Sequence, residues 1–257
     1  MRLVDLDIVV FDTETTGVDP DQARIVELGA VHVRALRPVT EWSTLVNPGV
    51  EIPAEATSVH GIDATAVAGA PTLAEVAASG AMAFFDRGPL VAGYNILGYD
   101  IRLLRAECAR AGVPAPTSLD QALDVLVFAR RAFRNARYRR LGDICYRFGY
   151  ELVDAHGTLP DAHAVAYIMR GMVVEGIIPR DLEVALRDQA EYKAQQDQDN
   201  SQYSYWLYCD ESVMYMACGK YIGWRVSDVP PDYVRYVLDH TESMPSTVEA
   251  VFRLRLS

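Results

Sequence analysis

Apolar positions along the chain change their period twice. Residues 6 to 11, LDIVVF, form a short apolar run that predicts a buried strand. In RIVELGAVHVRA, Val26, Leu28, Ala30 and His32 alternate with Ile25, Glu27, Gly29 and Val31, which predicts a second strand. A third is expected at TEWSTLVNPG, and the short Gly, Pro and Asp turns between these runs suit an antiparallel meander. The spacing then becomes helical from Thr72 to Phe85, returns to a strand at PLVAGYN, and becomes an amphipathic helix through YDIRLLRAECARAG. Further helices are expected at RRLGDICYRFG and LPDAHAVAYIMRGMVVEG, the second stopped by Gly176 and Pro179. Strands alternating with helices indicate βα units, so the sum is an α/β fold with a mixed sheet flanked by helices.

Past Arg180 a helix runs into AEYKAQQDQDNSQYS, whose polar end loses the apolar period and reads as a linker. A boundary near residue 195 divides the chain into a domain over 1–180, a helix and linker over 181–200, and a small aromatic-rich module over 201–257. The 257 residues are half hydrophobic, which suits a soluble globular protein with a sizeable core. No apolar run reaches the roughly 20 residues a membrane helix needs, and aspartates interrupt the amino terminus where a signal peptide is apolar, so a cytoplasmic location and no membrane partner are expected. The four cysteines, without a CxxC pair, are expected to be free thiols.

Net charge of −11 argues against nucleic acid as a partner when taken alone, because phosphate binding normally needs a basic surface. One segment runs against that balance. RRAFRNARYRR, from Arg130 to Arg140, holds six arginines and no acid, interleaved with Phe133 and Tyr138. It reads either as a solvated face or as a phosphate-binding stripe.

Candidate chemistry begins at FDTETTG, where the first strand ends. Asp12 and Glu14 are two residues apart, so on a strand they point to one face. Like charges this close repel unless a proton or a cation neutralises them, and oxygen-only ligands suit magnesium or manganese. A solvated turn explains an isolated Asp-x-Glu better than a cation site does. Asn95 ends the next strand and Asp100 opens a helix, where an acid is also welcome for dipole reasons. His156 precedes Asp161 by five residues, with Pro160 at the expected helix opening.

Together, Asp-x-Glu at a strand end, Asn-x4-Asp at a strand-to-helix junction and His-x4-Asp at a helix start resemble the three motifs of the DEDD exonucleases, in the histidine-bearing DEDDh (DnaQ-like) branch. The resemblance runs from Asp7 to Gly176. It implies a ribonuclease H-like fold with a five-stranded mixed sheet and a 3′ to 5′ exonuclease activity. It implies further that Asp12, Glu14, Asp100 and Asp161 hold two divalent cations, Mg²⁺ or Mn²⁺, and that His156 is the general base. Two cations about 3.5–4 Å apart can clamp the attacking and leaving oxygens of a displacement at phosphorus. An imidazole with the usual pKa of about 6.5 accepts a proton near neutrality, where carboxylates are poor bases.

By the same resemblance Thr15, Thr16 and Gly17 place backbone amides and small side chains against the terminal 3′ hydroxyl and base, Gly17 permitting a close turn. SVHGIDATAV resembles the segment that touches the terminal nucleotide, which marks His60, and Asn95 joins the substrate contacts. Tyr94 stands where many members have histidine, implying an altered contact to the terminal base. Asp124 is expected to be a buried structural aspartate and His163 a structural residue. The arginine run falls where the family meets the entering strand, so Arg137 and Arg139 are expected to contact phosphates.

In the tail, CGKYIGWRVSDVPPDYVRYVLDH resembles the small carboxy-terminal module of exonuclease X-type enzymes, with Cys218, Ile222 and Tyr236 as departures. Lys220, Trp224, Tyr233 and Arg235 then offer an aromatic and basic surface, while Tyr233, Val234 and Val237 are equally suited to a helix core. The expected function is a metal-dependent exonuclease on single-stranded DNA or 3′ overhangs that releases nucleoside 5′-monophosphates, with a replication or repair partner for the tail. The alternatives are an exoribonuclease or short-oligonucleotide hydrolase and, from another class, a catalytically silent nucleic-acid-binding module.

Overall fold

The computed structural model describes residues 1–133, 139–153, 155–201, 206–210, 213–218, 220–241 and 244–257, with the backbone alone described for 196–201 and 210. The chain separates into two compact units. Residues 1–128 and 141–187 make the first, and residues 129–140 and 188–257 the second.

The first unit is built on a five-stranded sheet of order β3-β2-β1-β4-β5. Strand β1 (Asp7–Thr15) lies between β2 (Ile25–Arg34) and β4 (Leu90–Gly93), and Ile8 to Phe11 are buried without alternation because both faces are covered. It pairs antiparallel with β2 and parallel with β4, and the edge strand β5 (Ala122–Asp124) follows parallel to β4. The carboxyl ends of β1, β4 and β5 therefore share one edge, the usual location of a site in a sheet containing parallel strands. Strand β3 (Arg37–Leu45) starts earlier than TEWSTLVNPG suggests, because a two-residue turn at Ala35 and Leu36 joins it directly to β2.

Short helices α1 (Ala54–His60), α2 (Ala64–Val67) and α3 (Leu73–Ala78) follow the meander. The single helix expected from Thr72 to Phe85 is two segments. Thr72 and Glu75 form a capping box at the start of α3, Gly80 turns the chain at φ 80°, and a 3-10 helix runs from Ala81 to Arg87. Helix α4 (Asp100–Ala111) follows β4, and after β5 come α5 (Val125–Ala132) and α6 (Leu141–Arg147). Helix α7 (Thr158–Val174) begins two residues earlier than Pro160 suggests, with Gly157 as its cap, and packs on β1, β2 and β3. Its approach depends on Gly29: a Cβ there would lie 2.2 Å from Thr158 Oγ1. Phe11, Phe85 and Trp42 anchor the core on the sheet, with the Phe11 and Phe85 rings edge to face at 5.1 Å.

The polar stretch expected to link the domains is the end of one long helix, α8 (Leu182–Ser201). The second unit adds a hairpin of β6 (Leu207–Asp210) and β7 (Val213–Met216) and two helices, α9 (Pro231–His240) and α10 (Ser246–Leu256). Proline at the first position of α9 costs no hydrogen bond. Leu207, Met216, Val234, Val237, Val248 and Phe252 form its core, with Tyr233 packed at the margin. Among the described residues no helix is long and apolar enough to cross a membrane.

Candidate active site

Asp12 and Glu14 project from one face at the end of β1, and the register sets Asp12 opposite Gly29 and Glu14 opposite Glu27 on β2. Because Gly29 admits the start of α7, the first turn of that helix brings Asp161 to the same place. One carboxylate oxygen each from Asp12, Glu14 and Asp161 lies within 4.8 Å of the others. Asp100, in the first turn of α4, is buried behind them and accepts a 2.7 Å hydrogen bond from Thr13 Oγ1.

The electrostatics follow from this crowding. Burial, then the charges of Asp100, Asp161, Glu14 and Glu27, hold the Asp12 carboxyl well above the usual carboxylate range. Burial pushes Glu14 up to about 8, with Asp161, Glu27 and Asp100 adding to it. Asp100 rises to about 7 through burial, opposed by the Thr13 hydrogen bond. Burial also raises Asp161, opposed by His156. One Asp161 oxygen, Oδ1, is buried with no hydrogen-bond partner among the described residues. Four acids in a half-dry pocket with an orphaned oxygen have the donor set and the unmet charge of a divalent-cation site.

His156 is exposed and at φ 69°, two residues before α7, near enough to act on the Asp161 carboxyl. A carboxylate that sequence reasoning passed over holds this junction: Glu27 Oε2 accepts the Thr158 backbone N–H at 3.3 Å. Alternation places Glu27 in a strand but gives no reason to single it out, since β2 is buried on both faces.

Beside the acids a cavity of about 410 Å³ is lined by Glu14, Thr15, Thr16, Gly17, Pro53 and His60, together with Val18, Glu55, Ala56 and Val59. His60 is fixed in one tautomer. Its Nδ1 accepts the Ile62 N–H at 3.0 Å, so Nε2 carries the proton and donates to the Thr15 carbonyl at 3.2 Å. Burial lowers its pKa, which favours the neutral ring. Thr16 Oγ1 accepts the Arg24 N–H at 2.9 Å. Gly17 is not at positive φ and nothing lies within 4 Å of a Cβ built there, so the turn does not need glycine; its absent side chain leaves the cavity wall open.

Tyr99, also missed, ties this wall together. Its hydroxyl lies 2.8 Å from Thr15 Oγ1 and donates to the Gly17 carbonyl. The sequence signal was its place immediately before Asp100, in the residue that caps α4. Tyr94 does not line the cavity.

Asn95 is exposed at φ 66°, and its backbone N–H donates to Asp124 at 3.0 Å. Asp124, buried, also accepts from the Leu97 and Leu126 amides, which shapes the turn leading to Asp100. His163 pairs with Glu41 at 2.6 Å.

The phosphate role expected for Arg139 does not fit. Arg139 is buried, its guanidinium 4.8 Å from the centroid of the Tyr215 ring and donating to the Tyr215 hydroxyl, so it is a packing element of the second unit. Arg137 lies outside the described residues.

Known proteins are similar to this chain in sequence and in fold. An exonuclease family model, RNase_T, matches residues 9–169. DNA polymerase III subunit epsilon of Rickettsia prowazekii (strain Madrid E) is 33% identical over 170 residues, covering 62% of this chain and 71% of that protein. The PolC-type DNA polymerase III of Caldanaerobacter subterraneus subsp. tengcongensis is 28% identical over 167 residues, 65% of this chain, and the chain spans 12% of its length. A structure of E. coli exonuclease I in complex with a 5cy-dT13 oligonucleotide superposes with a TM-score of 0.60 at 16% identity, covering 93% of this chain and 61% of that one. Exonuclease X in complex with 5′ overhanging duplex DNA gives a TM-score of 0.53 at 20% identity, covering 68% and 96%. The family model spans more than half of the chain and includes Asp12, Glu14, Asp100, His156 and Asp161, so the chain belongs to the DnaQ-like 3′–5′ exonuclease family.

Proposed function

We propose that the protein is a metal-dependent 3′–5′ exonuclease that removes nucleoside 5′-monophosphates from single-stranded DNA or 3′ overhangs. The observation that carries this reading is the convergence of Asp12, Glu14 and Asp161 within 4.8 Å, with Asp100 beside them. These four acids would hold two divalent cations, Mg²⁺ or Mn²⁺. When bound, such ions neutralise the charge that develops on the phosphoryl oxygens, worth several kcal/mol of barrier.

The chain's own residues do the rest. The cavity bounded by Thr15, Thr16, Gly17 and His60 receives the terminal nucleotide, and its limited volume of about 410 Å³ makes the enzyme begin at an end. Tyr99 and His60 fix the turn against which the 3′ hydroxyl abuts. His156, exposed and near the Asp161 carboxyl, takes the proton of the attacking water, a step that contributes about 10²–10⁴ in rate.

The C-terminal unit offers an aromatic row for a strand or a partner protein. The Tyr221 and Tyr233 rings lie 4.7 Å apart, Tyr236 stacks on His240 at 4.3 Å, and the Lys220 ammonium is 5.7 Å from Tyr221. Strands labelled at the 5′ end, as DNA and as RNA, with free or blocked 3′ ends, test the reading in Mg²⁺, in Mn²⁺ and in EDTA. It predicts stepwise shortening of free-ended DNA that stops in EDTA. Equal loss of 3′-blocked strands contradicts end recognition, and faster loss of RNA contradicts the substrate.

A further inference from the structure

A second cavity lies away from the acids, between the β2–β3 turn and α7. It encloses about 120 Å³ and is walled by Leu36, Arg37, Pro38, Tyr150, Tyr167 and Arg170, with His163 and Ala166. His163, Ala166, Tyr167 and Arg170 fall at i, i+3, i+4 and i+7 and so share one face of α7. The Tyr150 and Tyr167 rings lie 4.8 Å apart at 37°, and Tyr167 is 40% exposed.

Three features separate this pocket from an ordinary surface dent. Arg37 and Arg170 are exposed, and neither has a hydrogen bond or ion pair among the described residues, although the chain carries a net charge of −11. The nearby acid Glu41 is taken by His163 at 2.6 Å. The turn that forms one wall is strained as well: Ala35 and Leu36 sit at φ 51° and 57°, the geometry of a tight hairpin that asparagine and glycine adopt at little cost. Strain of this kind persists only where the surrounding structure demands it, and here it buries Leu36 beside Arg37.

We infer that this pocket seats part of one nucleoside phosphate at the protein surface, its volume of about 120 Å³ being too small to enclose the whole molecule, with the base packed against Tyr150 and Tyr167 and the phosphate held by Arg37 and Arg170. Planar guanidinium groups match phosphate oxygens, and a tyrosine face holds any base. Such a unit has two sources. It is a nucleotide of the strand being degraded, or it is a released nucleoside 5′-monophosphate. Arg170 is nine residues beyond Asp161 on α7, a rise of about 14 Å and about two and a half turns, so it lies on the opposite face of the helix and a strand reaching both places must pass around α7. The strand source rests on the exonuclease reading; nucleotide binding by itself does not.

The test uses the full chain carrying Asp12→Asn, in EDTA, so that hydrolysis and metal-mediated binding are absent. Affinities for thymidine 5′-monophosphate, inorganic phosphate and a short oligothymidine are measured across a salt series, with the melting temperature of every variant as a check on folding. Arg37→Ala and Arg170→Ala are each expected to weaken binding about tenfold, the usual effect of losing a charged hydrogen bond, and to lower the salt slope of the oligomer by about one. Tyr150→Leu should weaken the two nucleotide probes and leave phosphate unchanged. Loss confined to the oligomer assigns the strand as the source, and loss that includes the monophosphate assigns the free product. Unchanged affinity for all probes in the double arginine variant overturns the inference. So does an equal loss in Arg180→Ala, which removes an exposed cation of the same unit outside the pocket. Because binding is read without cleavage, a chain that fails to degrade DNA leaves this result standing on its own.

Discussion

The acids at the end of β1 and the arginines between α5 and α6 make opposite use of clustering. Asp12 and Glu14, Asp100 and Asp161 come from three places in the sequence and share one neighbourhood, because strand alternation and two helix starts aim them there. The arginine run is dense in sequence, yet two of its described members pack within their own unit: the Arg131 guanidinium lies 4.0 Å from the centroid of the Tyr192 ring, and Arg139 is buried against Tyr215. Charge density along a chain is therefore a poor guide to a binding surface. What decides is whether the fold leaves the charges unmatched, as it does for the acids and for Arg37 and Arg170.

Asp12→Ala gives the sharpest break. It should reduce kcat on single-stranded DNA by about 10³-fold or more, the loss of several kcal/mol of charge stabilisation, while the fold is retained by circular dichroism. Arg139→Ala should do the reverse. It removes the Arg139 contacts to the Tyr215 hydroxyl and ring and destabilises the second unit by about 1–3 kcal/mol in urea unfolding, with hydrolysis of short oligonucleotides per folded molecule unchanged. An arginine engaged with DNA phosphates would show the opposite pattern.

The raised carboxylates predict an unusual pH profile for the metal-free protein. Glu14 binds its proton more tightly folded than unfolded, at about 8 against the ordinary value of 4.5, so native stability must fall as pH rises through that window. Glu14→Gln should accordingly raise the melting temperature in EDTA at pH 8 and make little difference near pH 4. A divalent cation should abolish the advantage, adding about 2.7 kcal/mol to the wild type at a hundredfold excess over its Kd. The smallest expected effect belongs to Tyr99→Phe, which removes the Tyr99 hydroxyl from Thr15 and the Gly17 carbonyl while the Thr15-to-Gly17 hydrogen bond stays, and should raise KM for strand ends about threefold to tenfold with kcat near normal.

The sequence carried the sheet and the acids because both rest on strong periodic signals. Asp12 and Glu14 are legible from a spacing of two on an apolar strand, and Asp100 and Asp161 from acids at helix starts. What escaped depends on contacts between distant segments. Glu27 caps α7 across 131 positions, and Thr13 and Tyr99 bond to residues 87 and 84 positions away. Nothing local announces them. The helix expected over Thr72 to Phe85 kept its apolar pattern, but Gly80 takes a left-handed turn that the pattern does not encode. Strand β5, three residues long, is too short for alternation to reveal. The strained turn at Ala35 and Leu36 contains neither of the residues that usually mark one.

The central claim is that four acids from three elements act as one cation site. Titration of the metal-free protein with Mn²⁺ in the presence of thymidine 5′-monophosphate, followed by electron paramagnetic resonance, reads this directly. The account predicts two bound Mn²⁺ per wild-type chain, and loss of tight binding in Asp12→Asn and Asp161→Asn alike. Two ions bound with unchanged affinity in either variant would contradict it.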